Sequence, residues 1–219
     1  TAANNTAVGY YALKVNTTGA DNVAVGKDSL KASTTGYRNT AVGHSAGMAL
    51  TTGQNNVAIG KDAMIALTTG TGNVAIGKEA LDAITTVGNT IAIGTSALSS
   101  NTSGTSNTAV GHGALFANTT GGENVALGYG ALDSNTTASD NTGVGYLALQ
   151  ANTTGSNNTA IGKTAMYTNT TGAQNVAVGL EATYYNTTGN FNSSLGYQAL
   201  KGNTTGAYNT AIGGKALIA

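Results

Sequence analysis

The stretch Asn56-Val57-Ala58-Ile59-Gly60 decides the fold of this chain, because its pattern returns at a fixed interval from one end to the other. With few exceptions, the sequence Asn, Thr or Val, Ala, an aliphatic residue and Gly recurs thirteen times, and each Gly lies 17 residues after the previous one. A catalytic motif occurs once, whereas a motif repeated at constant spacing builds a repeat architecture. The thirteen glycines are Gly9, Gly26, Gly43, Gly60, Gly77, Gly94, Gly111, Gly128, Gly145, Gly162, Gly179, Gly196 and Gly213.

The two aliphatic positions of the motif predict a core-facing strand. Numbering each repeat from its glycine as position 0, position −1 is always Val, Ile or Leu, and position −3 is Thr or aliphatic in every copy except the one with Ser193. Side chains alternate along a strand, so −1 and −3 share a face, and β-branched residues favour strand. We therefore expect a strand of about five residues whose −1 side chains form the core column: Val8, Val25, Val42, Ile59, Ile76, Ile93, Val110, Leu127, Val144, Ile161, Val178, Leu195 and Ile212.

Position −2 points to the opposite face and is small in every copy. Only Gly143 and Ser194 depart from Ala. An exposed strand face normally carries varied polar residues, so a continuous column of Ala predicts that another surface packs against it. The predicted oligomer seam is Ala7, Ala24, Ala41, Ala58, Ala75, Ala92, Ala109, Ala126, Ala160, Ala177 and Ala211. The alternative is a narrow Ala face left in solvent.

The rest of the repeat predicts corners and a second side. Asn occupies position −4 in twelve of thirteen copies, where its amide can form a ladder between copies. Leu or Met at +4 is expected inside the coil, on either a second strand or a helical turn. Asn-Thr-Thr-Gly then leads into the next motif. One chain turn per 17 residues predicts an all-β, parallel β-solenoid of thirteen coils over residues 1–219, one repeat domain that is a fragment of a longer fibre.

Composition excludes several classes of function. The net charge is zero and only 8% of residues are charged, so nothing suggests binding to nucleic acid or to an anionic membrane. No apolar run approaches the ~20 residues of a membrane span. Cys is absent, which excludes disulfides and thiolate metal sites. We expect no cofactor, no metal and no membrane insertion of this segment.

Few residues suggest chemistry. His44 and His112 lie four repeats apart and cannot share a metal. Acidic residues at +2, several preceded by Lys, predict ion pairs between coils. The surface-binding candidates are the aromatics at +1: Tyr10, Tyr129, Tyr146 and Tyr197. No group combines a nucleophile, a base and an acid, so we do not expect an enzyme.

Two further repeated features leave alternatives open. Adjacent Thr columns at −9 and −8 suggest ice binding, although two adjacent strand residues would face opposite ways. The Asn-Thr-Thr segments contain glycosylation sequons, which fit either corner chemistry or attached glycans. The sequons begin at Asn16, Asn101, Asn118, Asn135, Asn152, Asn169, Asn186 and Asn203.

The repeat resembles the head repeat of trimeric autotransporter adhesins of the YadA type. The segment from Asn56 to Ala63 carries the strand motif, the glycine and the Ala at +3, and the longer form from Asn141 to Gly155 is similar to tail-fibre-like repeats of bacteria and phages. The resemblance implies a left-handed β-roll, a homotrimer and display outside the cell or on a virion, with attachment to a cell-surface, matrix or glycan ligand. The alternatives are a non-adhesive, self-assembling filament or spacer, and an ice-binding solenoid.

Overall fold

The computed structural model describes residues 2–218 and confirms an all-β, parallel β-solenoid with one short strand per 17-residue coil. Each strand has three residues, positions −3 to −1, rather than the predicted five. The strands are β1 Thr6–Val8, β2 Val23–Val25, β3 Thr40–Val42, β4 Val57–Ile59, β5 Val74–Ile76, β6 Ile91–Ile93, β7 Thr108–Val110, β8 Val125–Leu127, β9 Thr142–Val144, β10 Thr159–Ile161, β11 Val176–Val178, β12 Ser193–Leu195 and β13 Thr210–Ile212.

The chain forms two compact units, an N-terminal unit up to Asn107 and a C-terminal unit from Thr108. Within each unit, consecutive strands pair in parallel and every residue pairs with its equivalent one coil later. Ala24 pairs with Ala41 in the N-terminal unit, and Thr159 pairs with Val176 in the C-terminal unit. The strict 17-residue period therefore sets one register throughout each unit.

The Ala column at −2 lies inside the coil, which corrects the prediction that it forms an oligomer seam. Ala24, Ala75 and Ala160 have no exposed surface, and apart from Ala7, in the first coil, every Ala of this column is buried. A β-carbon built on Gly143, which occupies the same position, would lie 3.3 Å from Leu132 Cγ. Position −2 is therefore small because the Leu of position +4 fills the space opposite it.

The −1 column lies on the outer face, which corrects the prediction that it forms the core. None of its thirteen residues is buried. Leu195 is 51% exposed and Ile161 is 41% exposed, whereas Leu132 and Leu149 at position +4 are fully buried. The strand alternation itself was predicted correctly, but the face that turns inward is the one with small side chains, because the interior is narrow and Leu already occupies it.

The second side of the coil is neither a strand nor a helix. Residues +3 to +6 form a run of turns. The backbone N–H groups at +4 and +6 donate to the next coil, as Leu132 N does to Ala148 O at 3.0 Å, whereas the N–H at +3 donates to the motif glycine of its own coil. The buried Leu adopts the left-handed backbone region, with φ of 54° at Leu132 and 53° at Leu149. Such a backbone costs on the order of 1–2 kcal/mol for a residue with a β-carbon, and burial of the Leu side chain offsets it with about 1.5–3 kcal/mol.

Two ladders of buried Asn build the corners. At position −4, Asn39 N donates to Asn22 Oδ1 at 2.9 Å, and the same contact recurs from coil to coil as predicted. The second ladder is at position +7, where Asn152 Nδ2 donates to Asn135 Oδ1 at 3.0 Å and to Gly155 O at 2.9 Å. The sequon residues of this second ladder have their amide nitrogens engaged. They are fully buried at Asn101, Asn118, Asn135, Asn152, Asn169 and Asn186, so corner chemistry accounts for Asn at these six positions.

The motif glycine closes each strand, as predicted. Gly145 has φ of 135°, and a β-carbon there would lie 2.5 Å from Gly162 O in the next coil. Both the conformation and the close approach of neighbouring backbones require glycine at this position.

Candidate functional site: an exposed apolar ribbon

The outward-facing side chains of the strands form one continuous surface in each unit, which we call the apolar ribbon. It consists of positions −3 and −1 of every strand and contains only Val, Ile, Leu, Thr and Ser. In the C-terminal unit, Leu127 is 46% exposed, Val176 is 43% exposed and Ile161 is 41% exposed. Single exposed apolar residues are ordinary, whereas contiguous apolar patches mark interaction surfaces.

The strands hold the ribbon side chains at a regular spacing. Because neighbouring strands pair in one register, the ribbon side chains line up as two columns whose members repeat at about 4.8 Å. The seven strands of the C-terminal unit therefore present a face of about 34 Å by 10 Å. That footprint is smaller than the roughly 800 Å² per partner of a standard protein interface. Contact area along the ribbon therefore grows with the number of coils that take part.

One strand interrupts the ribbon. Ser193 in β12 is the only Ser at position −3, and it opens a shallow depression between Val176 and Thr210. The depression is lined by the ribbon residues of β11, β12 and β13 together with Ser194. It is a local change of relief on the strand face of the C-terminal unit.

The predicted surface-binding tyrosines stack on neighbouring coils. The ring of Tyr129 lies between His112, at a centroid distance of 5.2 Å, and Tyr146, at 5.5 Å, and all three planes are nearly parallel. Lys163 Nζ lies 5.9 Å from the Tyr146 centroid. The ring faces of this column are therefore occupied by its own neighbours, and only ring edges and hydroxyl groups remain for a partner.

The two other predicted tyrosines also have neighbours inside the chain. Tyr10 packs on Tyr11 with a centroid distance of 3.8 Å, and the hydrogen bond between the two hydroxyls raises the pKa of Tyr10. Lys215 Nζ lies 6.0 Å from the centroid of Tyr197. The first contact joins two neighbours in the sequence of one coil, and the second joins position +1 of one coil to position +2 of the next.

A second aromatic cluster was not singled out from the sequence. Tyr184 stacks on Tyr167 at 5.2 Å and meets Tyr185 edge to face at 4.7 Å. Lys201 Nζ lies 5.5 Å from the Tyr184 centroid and forms an ion pair with Glu181 at 2.6 Å, which lowers the pKa of Glu181. Tyr167 and Tyr184 share position +5, so the 17-residue spacing was the signal that pairs them.

The charged residues pair mostly within a coil. Lys61 contacts Asp62 at 2.9 Å and Lys78 contacts Glu79 at 3.1 Å, so the prediction of ion pairs between coils was wrong for these pairs. The pair of Lys201 with Glu181 does join two coils. Within residues 2–218, no three His, Asp or Glu side chains come together as metal ligands.

Comparison with known proteins returned no relative: no family model, curated protein or solved structure matches the chain. In the part of the chain that the structure describes, no helix is long and apolar enough to cross a membrane.

Proposed function

We propose that this chain is a segment of an extracellular fibre whose copies associate side by side through the apolar ribbon. The proposal is supported by the −1 column, which is aliphatic in every coil and half-buried or exposed throughout. The −3 column of Thr, Val, Ile and Ser lies beside it, while the core is filled by other residues. Burial of such a surface is favourable by about 25 cal/mol per Å². A solenoid that leaves such a surface in water would be prone to uncontrolled association.

A second copy of the chain fits the ribbon better than an unrelated partner. The ribbon carries no charge that would select a charged partner, and its side chains repeat once per coil. Another copy has the same repeat, so the columns of two chains stay in step over many coils. The resemblance to adhesin heads makes three chains around a threefold axis the arrangement that we propose.

The outer surfaces of such a fibre supply the adhesive function. We propose attachment to a cell-surface, matrix or glycan ligand through the turn side, where Tyr129, Tyr146 and Tyr185 are each about half exposed. Because the faces of the first two rings are covered, recognition there uses ring edges and phenol hydroxyls rather than stacking on a sugar. Many weak contacts repeated along a fibre give avidity. The setting that we propose is a cell surface or a virion.

A non-adhesive spacer is the second candidate function, and the internal use of the aromatic rings favours it. Rings that stack on the rings of neighbouring coils stabilise the solenoid without any ligand. Binding of the full chain to immobilised matrix proteins and glycans separates the two functions. Saturable binding that Tyr146→Ser weakens supports adhesion, whereas the absence of binding to every surface supports the spacer.

Sedimentation equilibrium tests the assembly itself. The chain mass is 21.5 kDa. We expect a species of three chain masses at micromolar concentration, and Ile161→Glu, which places a charge in the ribbon, should shift the population toward the monomer. Thr154→Glu, on a different face, is the matched control and should leave the mass unchanged. A single chain mass for the unmodified protein at every concentration would contradict the proposal.

A further inference from the structure

Two adjacent columns of Thr lie on a face of the coil separate from the ribbon. Position −9 is Thr in all twelve coils that contain it, and position −8 is Thr in all of them except for Ser103. The expectation that adjacent Thr residues face opposite ways does not hold, because the chain bends here instead of forming a strand. Both columns therefore face outward. In the C-terminal unit the −8 column is unbroken: Thr120, Thr137, Thr154, Thr171, Thr188 and Thr205.

The inner column, at −9, is fixed by the fold. Thr170 Oγ1 donates to Thr187 O at 3.0 Å, and the backbone N–H groups of Thr170, Thr171 and Gly172 converge on the same oxygen at 2.9 to 3.3 Å. The equivalent hydroxyl contacts throughout this unit measure 3.0 to 3.1 Å. Hydrogen bonding to the next coil accounts for Thr at −9 and makes the face regular.

The outer column, at −8, has no such structural reason. All six side chains in the C-terminal unit are exposed, and their hydroxyls make no hydrogen bond to another described residue. Other exposed positions of the same coils vary widely. Position +1 holds His112, Tyr129, Lys163 and Leu180, and position −5 includes Glu123 and Phe191 among others. Simple copying of a repeat would have kept those positions uniform as well, so a requirement outside the fold keeps Thr at −8.

The side-chain chemistry of the Thr face restricts the kind of ligand that could require Thr at position −8 of every coil. A ligand that needs Thr on every coil must itself repeat at the coil spacing of about 4.8 Å. The two columns offer hydroxyl and methyl groups only, with no charged group and no aromatic ring. Charged partners need ionic contacts, and ring faces, which give aromatic contacts, are absent here. Ordered water that bridges polar groups needs neither an ionic contact nor an aromatic ring face.

We infer that this Thr face binds ice, with the −9 and −8 columns ordering water into a lattice that merges with the crystal. The hydrogen bonds at −9 fix the backbone and hence the spacing of the outer column. Because β-branched Thr has few χ1 rotamers, little side-chain entropy is lost when the outer hydroxyls and methyl groups engage ordered water. The ribbon, on the strand face, takes no part. The activity therefore stands independently of the fibre assembly proposed above.

Thermal hysteresis of the full chain tests the inference. We expect the unmodified protein to separate the freezing point from the melting point and to shape ice crystals. Thr154→Lys and, separately, Thr171→Lys should each abolish most of the hysteresis, because a long charged side chain lifts the lattice off the face. Circular dichroism and the melting temperature verify that both variants remain folded, as expected for substitution of exposed side chains.

The matched control is His112→Lys, which introduces a Lys at the exposed position +1, where Lys163 occurs naturally three coils later. It should retain the hysteresis. Three outcomes overturn the inference: no hysteresis in the unmodified chain, loss in the control equal to that in the Thr variants, or loss in the ribbon variant Ile161→Glu with none in Thr154→Lys. Binding to insoluble cellulose without hysteresis overturns it in favour of a polysaccharide. Sedimentation reports on the fibre proposal separately, so the two can fail independently.

Discussion

Thr183 Oγ1 and Ser194 Oγ lie 2.6 Å apart in the core of the C-terminal unit, where other coils place a Leu against an Ala. Both residues are buried, with Ser194 at 2% exposure and Thr183 at 0%. Two residues that depart from the repeat thus meet across the interior, and their hydroxyl groups form a hydrogen bond with each other. A buried hydroxyl that loses its only strong partner is costly, so the two residues should behave as one unit.

We expect Thr183→Leu and Ser194→Ala each to destabilise the chain by about 1–2 kcal/mol, because each leaves one hydroxyl unpaired. The double variant restores the Leu and Ala of the other coils and should be close to neutral. Urea unfolding followed by circular dichroism measures the cycle. Leu149→Thr, opposite Ala160, is the control in which a hydroxyl enters without a partner. Additive single effects would show that the hydroxyls do not stabilise each other.

The motif glycine should be irreplaceable within a coil. Gly145→Ala places a β-carbon at φ of 135° and 2.5 Å from Gly162 O, so we expect a loss of at least about 2 kcal/mol. Gly214→Ala is the matched control, since nothing lies within 4 Å of a β-carbon there. Thermal unfolding of the two variants measures the difference, and equal stabilities would refute the role assigned to the backbone approach.

The Asn ladder at +7 should tolerate replacement as a block better than replacement of one member. Asn135→Leu removes the acceptor for Asn152 Nδ2 and the donor to Asn118 Oδ1, so we expect a loss of about 2 kcal/mol. Leu50, Leu67 and Ile84 fill the same position in the N-terminal unit and are fully or almost fully buried, which shows that an apolar column also fits. Replacing Asn118, Asn135 and Asn152 together by Leu should cost much less than three single losses. The denaturation midpoints of the single Asn135→Leu variant and of the triple Leu variant test this expectation.

Stability should depend on pH in opposite senses at two carboxylates. Burial raises the pKa of Asp82, so the folded chain keeps this proton to a higher pH than the unfolded chain, whose Asp pKa is about 3.9. The stability that protonated Asp82 contributes is therefore present below the pKa of the unfolded state and is lost as pH rises through the pKa of the folded state. Asp82→Asn should therefore raise the melting temperature at pH 7 and change it little at about pH 3.

Glu181 shows the opposite dependence. The neighbouring ammonium of Lys201 lowers its pKa, so its contribution is present above the unfolded pKa and is lost as pH falls through the folded pKa. Glu181→Gln should lower the melting temperature at pH 7 and leave it unchanged in strong acid. Calorimetry across the pH range tests both carboxylates, and melting curves with the same pH dependence for both variants would contradict the signs.

The repeat predicted the fold, but the strand pattern did not determine which face turns inward. Alternation places Val57 and Ile59 together and Ala58 opposite, and the preference of large apolar residues for the interior suggested the wrong face. The coil is too narrow for two large columns, and the Leu or Met at +4 already fills it. The residue variability at each position indicated which face is exposed. Position −3 changes among Thr, Val, Ile and Ser as an exposed position does, whereas position −2 is almost uniform.

Other features followed from the period once equal positions are placed one coil apart. The Asn ladder at −4 was predicted in this way, and the stacking of Tyr129 on Tyr146 was within reach of the same argument. The left-handed backbone at Leu132 could not be predicted from the period. Leu rarely adopts this conformation, and here burial of its side chain offsets the cost. Sequence reasoning likewise assigned strand alternation to the Thr pair, where the chain bends instead.

The reactivity of a single thiol placed on the ribbon measures most directly whether a second copy of the chain covers that surface. The chain has no Cys, so Ile161→Cys carries one thiol on the ribbon and Thr154→Cys carries one on the Thr face. We expect Ile161→Cys to alkylate slowly in concentrated solution and faster on dilution, as associated chains separate, while Thr154→Cys reacts quickly at every concentration. Equal and rapid alkylation of both variants at every concentration would show that no copy covers the ribbon.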